Sequence, residues 1–419
     1  MIKTAHFATA ASVVAISASA FTAQAQDSFF DRNRYVSVTE RPQPEFDPVP
    51  VRLGGFEVRP RLRVGAGYRS NLFASTTDET GDSFAVLAPS VDLLSTWSRH
   101  EFGASLAAEH TEYVDTGSES ATDLFARAFG GLDVTSSFGL VGAVLAEHTN
   151  EPRASVASDP AAAEPVEVDR FGGEAGVNYE QGRVRLRGRL SADTYDFSDV
   201  SLNGGGTLDQ DFRDRDEMTG SVRVSYAPQR DWSVFAEGSV TSRDYDTPAS
   251  PGQRNRDSEG TIVRVGTNFE LPILIRGDIA VGYHQFEYDD PTAEDVSGLS
   301  VEGNASWFVT QLTTVSANAS RRVIDPGIQS TAAATQTALG VNVDHELRRN
   351  WLVNAGVDFT NFDFENVDRT DDRLEFEVGS LWKFNRNASA RLSYRFADQD
   401  SNVRSFTDNR VMATLILTP

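Results

Sequence analysis

From Phe56 to the end of the chain, apolar and polar side chains alternate at every second position, and this rhythm restricts the fold more than any other property of the sequence. The run from Arg183 to Leu190 shows it plainly. Arg183, Arg185, Arg187 and Arg189 take one side, and Val184, Leu186, Gly188 and Leu190 take the other. Successive side chains of a strand point to opposite faces, so this run makes a sheet with one oily face and a column of cations behind it. FEVRPRLRVGAGYR (56–69) sets Phe56, Val58, Leu62, Val64, Ala66 and Tyr68 against Glu57, Arg59, Arg61, Arg63 and Arg69. Such runs recur about eighteen times, most of them roughly 10 to 15 residues long, with little helical periodicity between them. The alternation is weak around 138–148 and 325–340.

The connections fall into two alternating classes. Short ones, such as EQG at 180, PQRD at 228 and NRN at 385, trade places with longer acidic ones at 149, 198 and 246. All five tryptophans, Trp97, Trp232, Trp307, Trp351 and Trp382, lie within a few residues of a short turn. Tyr68, Tyr113, Tyr195, Tyr245 and Tyr288 lie at the opposite ends, which predicts two girdles of amphipathic rings at the headgroup level. The expected fold is all-β: a transmembrane antiparallel up-and-down β-barrel of about eighteen strands, of the outer-membrane type. A secreted β-sandwich or solenoid has no reason to gather every Trp at one end.

The first residues agree with that destination. MIKTAHFATAASVVAISASAFTAQAQ has a basic start, an apolar stretch too short to span a bilayer, and Ala23 and Ala25 at the positions a signal peptidase reads. Residues 1–25 therefore read as a cleaved signal peptide, 26–55 as a Pro-rich periplasmic segment, mobile or loosely docked, and 56–419 as the barrel. The chain has no Cys, which excludes disulfides and thiolate metal sites and suits an oxidising compartment. A net charge of −23 argues against nucleic acid as a partner.

A barrel in lipid turns its polar side inward, so the arginine columns line the lumen. By parity the inward charged set is Arg59, Arg61, Arg63, Arg69, Arg183, Arg185, Arg187 and Arg189, with Glu174, Glu180, Glu217 and Arg223 beside the second column. Tyr113, Phe125, Phe129, Tyr195, Phe235, Tyr245, Phe286 and Phe364 face inward by the same rule. Two readings stand side by side: charged ladders that keep a wide barrel wet and rigid, or a guide for a polar solute in which rings stack on sugars and Arg binds hydroxyls or uronates. The N-terminal segment and the loops at 149–167 and 198–213 are the candidates for a constriction.

Two stretches carry a family resemblance. RYVSVTERPQPEFDPVPVRLGGFEVRPRLRVGAGYRSNLFAS (34–75), with Tyr68, Asn71 and Phe73, and APSVDLLSTWSRHEFGASLAAEHTEY (88–113), with Pro89, Ser95, Trp97, Arg99 and His100 at its turn, resemble the putative beta-barrel porin 2 family. The resemblance implies an outer-membrane channel of a Gram-negative bacterium for export of a secreted polysaccharide, working with a periplasmic polysaccharide-export protein. It also implies outer-membrane lipid, lipopolysaccharide and the insertion machinery as partners. The final run VMATLILTP departs from the pattern of outer-membrane strands that end in an aromatic residue. A general diffusion porin or small-solute channel, and a structural or adhesive barrel, remain as alternatives.

No catalytic array stands out, so no enzymatic activity and no cofactor are expected. His110 and His148 are adjacent in sequence to Glu109 and Glu147, which places them on opposite faces of a strand. The acidic runs DQDFRDRDE (209–217) and NVDRTDD (366–372) lack the spacing of a calcium loop, and no metal site is assigned.

Overall fold

The computed structural model describes residues 36–246, 255–291 and 293–419. The expected signal peptide, 1–25, lies outside the described residues. Eighteen long strands follow in order. The first six are β1 (Phe56–Arg69), β2 (Asp82–Ser95), β3 (Glu101–Tyr113), β4 (Ala121–Asp133), β5 (Phe138–Asn150) and β6 (Glu167–Gln181). Next come β7 (Val184–Phe197), β8 (Arg215–Gln229), β9 (Trp232–Tyr245), β10 (Ser258–Leu271), β11 (Ile275–Tyr288) and β12 (Val296–Thr310). The last are β13 (Thr313–Ile324), β14 (Ala334–Arg348), β15 (Trp351–Phe364), β16 (Thr370–Lys383), β17 (Ala388–Ser401) and β18 (Phe406–Leu417). Each pairs antiparallel with the next, and β1 also pairs with β18 from Leu62↔Leu417 to Arg69↔Arg410. The sheet thus closes on itself, which satisfies the backbone polar groups that an open edge would leave bare in lipid. Below Leu62, the three-residue strand Val51–Leu53 folds back on β1 and pairs with Phe56–Val58.

The weakly alternating region at 138–148 is a full strand whose glycines blur the pattern, whereas 325–333 is a loop and β14 begins only at Ala334. Short turns gather at one end of the barrel and long loops at the other. The two-residue turn between β6 and β7 places Gly182 at φ +62, the left-handed region that favours glycine.

Burial is inverted relative to a water-soluble sheet. Leu186, Leu190, Val222, Val240, Val263, Leu339 and Leu392 are exposed on the outer face, while the arginines of β7 are partly covered on the inner one. An apolar surface of this extent has no place in water and is the surface a bilayer requires. All five tryptophans are exposed around the short-turn end, and Trp351 pairs directly with Trp382. At the long-loop end the outward face turns acidic, with Asp169↔Asp196, Asp216↔Asp244, Glu259↔Glu287 and Asp372↔Asp400 opposed across strands. The apolar band therefore ends in a Trp girdle on one side and a carboxylate rim on the other. The tyrosine girdle is corrected: of the five, only Tyr68 faces outward. Tyr113, Tyr195, Tyr245 and Tyr288 carry the inward parity of their strands, where Tyr113 packs on Phe84 and Tyr195 is buried.

Candidate channel interior

The inner wall is built from arginine–carboxylate pairs, most of which run between neighbouring strands. On β7, Arg185 meets Glu180 at 2.7 Å and Arg189 meets Glu174 at 3.2 Å, with Arg187 between them. On β1, Arg59 meets Glu57 at 3.1 Å, Arg63 meets Glu109 at 2.7 Å and Arg69 meets Asp408 at 2.7 Å, and Arg61 shares their face. Arg223 pairs with Glu237 at 2.6 Å, and Glu217 takes Arg243 at 3.0 Å. Arg183 is the exception to the expected column. It precedes the strand, sits exposed in the Gly182–Arg183 turn and donates to the Pro228 carbonyl at 3.1 Å, because pairing in β7 begins only at Val184. Parity on other strands adds Arg170, held between Glu147 at 3.2 Å and Asp193 at 2.8 Å, and Arg395, which meets Glu377 at 3.0 Å. Charges withdrawn from bulk water need partners of this kind, and the pairs meet that need.

Phe125, Phe129, Phe235, Tyr245 and Phe286 carry the inward parity of their strands, yet the rings are not bare. Four phenylalanines lie across a glycine directly paired with them on the next strand: Phe84 on Gly67, Phe129 on Gly103, Phe235 on Gly266 and Phe286 on Gly260. The approach is so close that a Cβ on any of these glycines would come within 2.5 Å of the ring. A guanidinium covers each of the same rings: Arg410 over Phe84 at 4.7 Å, Arg127 over Phe129 at 5.1 Å, Arg223 over Phe235 at 4.3 Å and Arg243 over Phe286 at 5.1 Å. The rings fill the space above inward glycines and hold the arginines by cation–π attraction. Tyr195 is treated alike, with Arg215 at 4.3 Å.

Both mouths are narrowed by chain that folds across them. At the short-turn end, Val38 is buried and donates its N–H to Thr314 Oγ1 at 3.1 Å. Arg41 meets Glu346 at 3.4 Å, Lys383 meets Asp47 at 3.2 Å, and Arg386 donates to the Pro44 carbonyl at 2.8 Å. The described part of the N-terminal segment is therefore docked by specific contacts. At the long-loop end, loop 151–166 reaches across to the loops that follow β13, β15 and β17. Arg404 donates to the carbonyls of Ser155 at 2.6 Å and Ser158 at 3.1 Å, Arg369 to Val156 at 3.4 Å, and Arg373 to Ala154. Two buried ion pairs fix its root, Arg153 with Glu119 at 2.9 Å and Arg213 with Glu151 at 3.0 Å. Gly327 packs against this root at φ +69, where a Cβ would lie 2.9 Å from Arg213 Nε.

Loop electrostatics carry one pH-sensitive element. In the loop after β13, burial disfavours the Asp325 carboxylate, yet Arg256, Arg215, the Tyr245 hydroxyl and the Gly327 N–H hold its pKa down at about 2. Asp214, just before β8, goes the other way. Burial pushes it up to about 6, helped by Asp196, Asp211 and Asp246 and opposed by the Phe197 N–H it accepts. A raised carboxyl stabilises the fold fully below its ordinary value of 3.8 and loses that contribution as pH rises through about 6. Hydrogen-exchange protection of the Phe197 and Asp246 amides is expected to fall between pH 4.5 and 7.5, and Asp214→Asn is expected to remove the dependence; equal protection at both pH values in the parent would refute it. The neighbouring Asp199, Asp209 and Asp211 carboxylates lie within 4.8 Å of one another and are exposed. His110 and His148 face outward and meet Glu112 at 3.1 Å and Asp169 at 2.8 Å, whereas Glu109 and Glu147 point inward to arginines.

A family model described as putative beta-barrel porin 2 matches residues 43–418. Among solved structures, the chain is similar to Pseudomonas aeruginosa OpdK with vanillate (TM-score 0.45, 9% identity, 86% of this chain and 99% of that one). It is also similar to OccK2 (OpdF) of the same species (0.47, 10%, 87% and 98%). A BenF-like porin from Pseudomonas fluorescens Pf-5 gives 0.46 at 10% identity over 88% and 100%. No curated protein matches the chain.

Proposed function

Because the chain belongs to the putative beta-barrel porin 2 family, we propose that it is a passive channel of a Gram-negative outer membrane that admits small polar solutes, with its short turns and N-terminal segment in the periplasm. The Gly–ring–Arg stacks carry this reading. A conduit for a sugar polymer needs open ring faces along its bore, and here the faces are taken by glycine on one side and guanidinium on the other. What remains presented to the bore is N–H and carboxylate, which suits small solutes that exchange hydration for hydrogen bonds. The chain folded across both mouths favours the same scale of cargo.

Reconstitution of the purified chain in liposomes tests it. Swelling is expected with monosaccharide-sized solutes and not with long oligosaccharides, together with steady conductance in planar bilayers. A barrel that passes no small solute, in a strain whose deletion traps polysaccharide in the periplasm, would overturn the proposal in favour of export with a periplasmic partner.

A further inference from the structure

The two rims of the barrel carry opposite charge. Against the opposed carboxylates of the long-loop rim, the short-turn rim exposes arginines. Arg99, Arg183, Arg230, Arg349 and Arg386 lie in the short turns, and Arg348 is the last residue of β14. Among the described residues, Asp231 is the single carboxylate in those turns, and it is half-buried. Glu57, Glu101, Asp133, Glu180, Glu270 and Glu346 stand near the same rim but carry the inward parity of their strands. Glu40 and Glu45 belong to the N-terminal segment that crosses the mouth. The outward circumference at this end is therefore cationic.

Three of these arginines stand at the tryptophan girdle. Arg230 is close in sequence to Trp232, and Arg348, next to Arg349, pairs directly with Trp351. Both tryptophans are exposed on the outer face. The side chains of Arg230, Arg348 and Arg349 are exposed and form no ion pair or hydrogen bond with a described residue. Val134, Ile273, Leu312, Leu347 and Phe384 are exposed in or beside the same set of turns. Bare apolar side chains gain nothing from water, and a protein partner covers one patch rather than a mixed ring. A layer of lipid headgroups fits both features. Guanidinium takes phosphate oxygens with parallel N–H bonds, while indole and aliphatic side chains settle at the glycerol level.

We propose that the short-turn rim is a binding surface for anionic phospholipid headgroups, with Arg230, Arg348 and Arg349 holding the phosphates beside Trp232 and Trp351. The surface requires that the chain span a bilayer and not that it conduct, so it goes beyond the channel reading.

All five tryptophans stand at this rim, so their fluorescence reports the lipid that touches it. The full chain is reconstituted in phosphatidylcholine vesicles that also contain brominated phosphatidylglycerol or, in a matched set, brominated phosphatidylcholine. Quenching is expected to show phosphatidylglycerol preferred roughly fivefold or more, with the preference lost in high salt. The triple variant Arg230→Gln, Arg348→Gln, Arg349→Gln is expected to stay heat-modifiable and to be quenched equally by both lipids. Equal quenching in the parent overturns the proposal, and so does a preference that survives in the triple variant. If the triple variant does not assemble, Arg349→Gln alone is expected to weaken the preference, and an unchanged preference overturns the surface. A parent without lipid preference that sediments with isolated peptidoglycan through these arginines assigns the rim to that polymer and refutes the proposal. A barrel that shows the preference but passes no solute refutes the channel and keeps the surface. A conducting barrel without the preference does the reverse.

Discussion

Leu190→Arg is expected to abolish stable membrane insertion, whereas Arg187→Ala on the same strand is expected to leave the barrel assembled. Leu190 lies mid-strand on the outer face, 51% exposed, paired with Gly220 and Ala175. A cation facing lipid near the bilayer midplane costs about 2–4 kcal/mol, which lowers the inserted fraction by roughly thirtyfold or more. Arg187 faces the bore between the paired arginines Arg185 and Arg189, and its removal relieves a like-charge neighbourhood without touching lipid. Heat-modifiability gels separate the two, since a folded barrel migrates apart from its boiled form. Equal behaviour of the two variants would invert the inside and outside assigned to every strand.

Removing residues 154–163 is expected to raise single-channel conductance at least threefold with the barrel still heat-modifiable. Loop 151–166 obstructs the bore through contacts between distant parts of the chain: the carbonyls of Ala154, Ser155, Val156 and Ser158 are held by Arg373, Arg404 and Arg369. A point variant should unsettle the same obstruction. Glu119→Ala leaves Arg153 buried without its carboxylate, a change that costs about 3–5 kcal/mol and favours release of the loop. Planar-bilayer recordings are expected to show a larger open level for the deletion and flicker between two levels for Glu119→Ala. Conductance unchanged in both would mean that the loop does not set the flow.

The barrel was legible because a period of two, held over so many strands, encodes both strand and facing. The same rule assigns Glu174, Glu217, Arg223 and the inward phenylalanines to the bore side. It failed at Arg183, where alternation runs on through a residue that the Gly182 turn removes from the wall. Position along the strand, and not the period, misled at Tyr113, Tyr195, Tyr245 and Tyr288, because nearness to a strand end does not fix which face a ring takes. The row of Arg395, Arg410 and Arg69 across β17, β18 and β1 was invisible for a different reason. A search along one strand finds columns such as Arg185 to Arg189, but rows exist only once register is known, and Arg69 stands far from Arg395 and Arg410 in the chain. The pairing of Phe129 with Gly103 and of Phe235 with Gly266 is hidden in the same way. Loop 151–166 was recognisable as long, but the backbone carbonyls that anchor it leave no trace in side-chain pattern.

The join between the first and last strands is shorter than its neighbour. β2 covers β1 from Phe56 to Arg69, whereas β18 covers it only from Leu62, and Val51–Leu53 pairs with Phe56–Val58 alone. These two strands are also the farthest apart in sequence, so bringing them together carries the largest loop-closure entropy in the molecule. Circularisation is thus expected to come last in assembly, and on heating the hoop is expected to part along this line before any hairpin unzips.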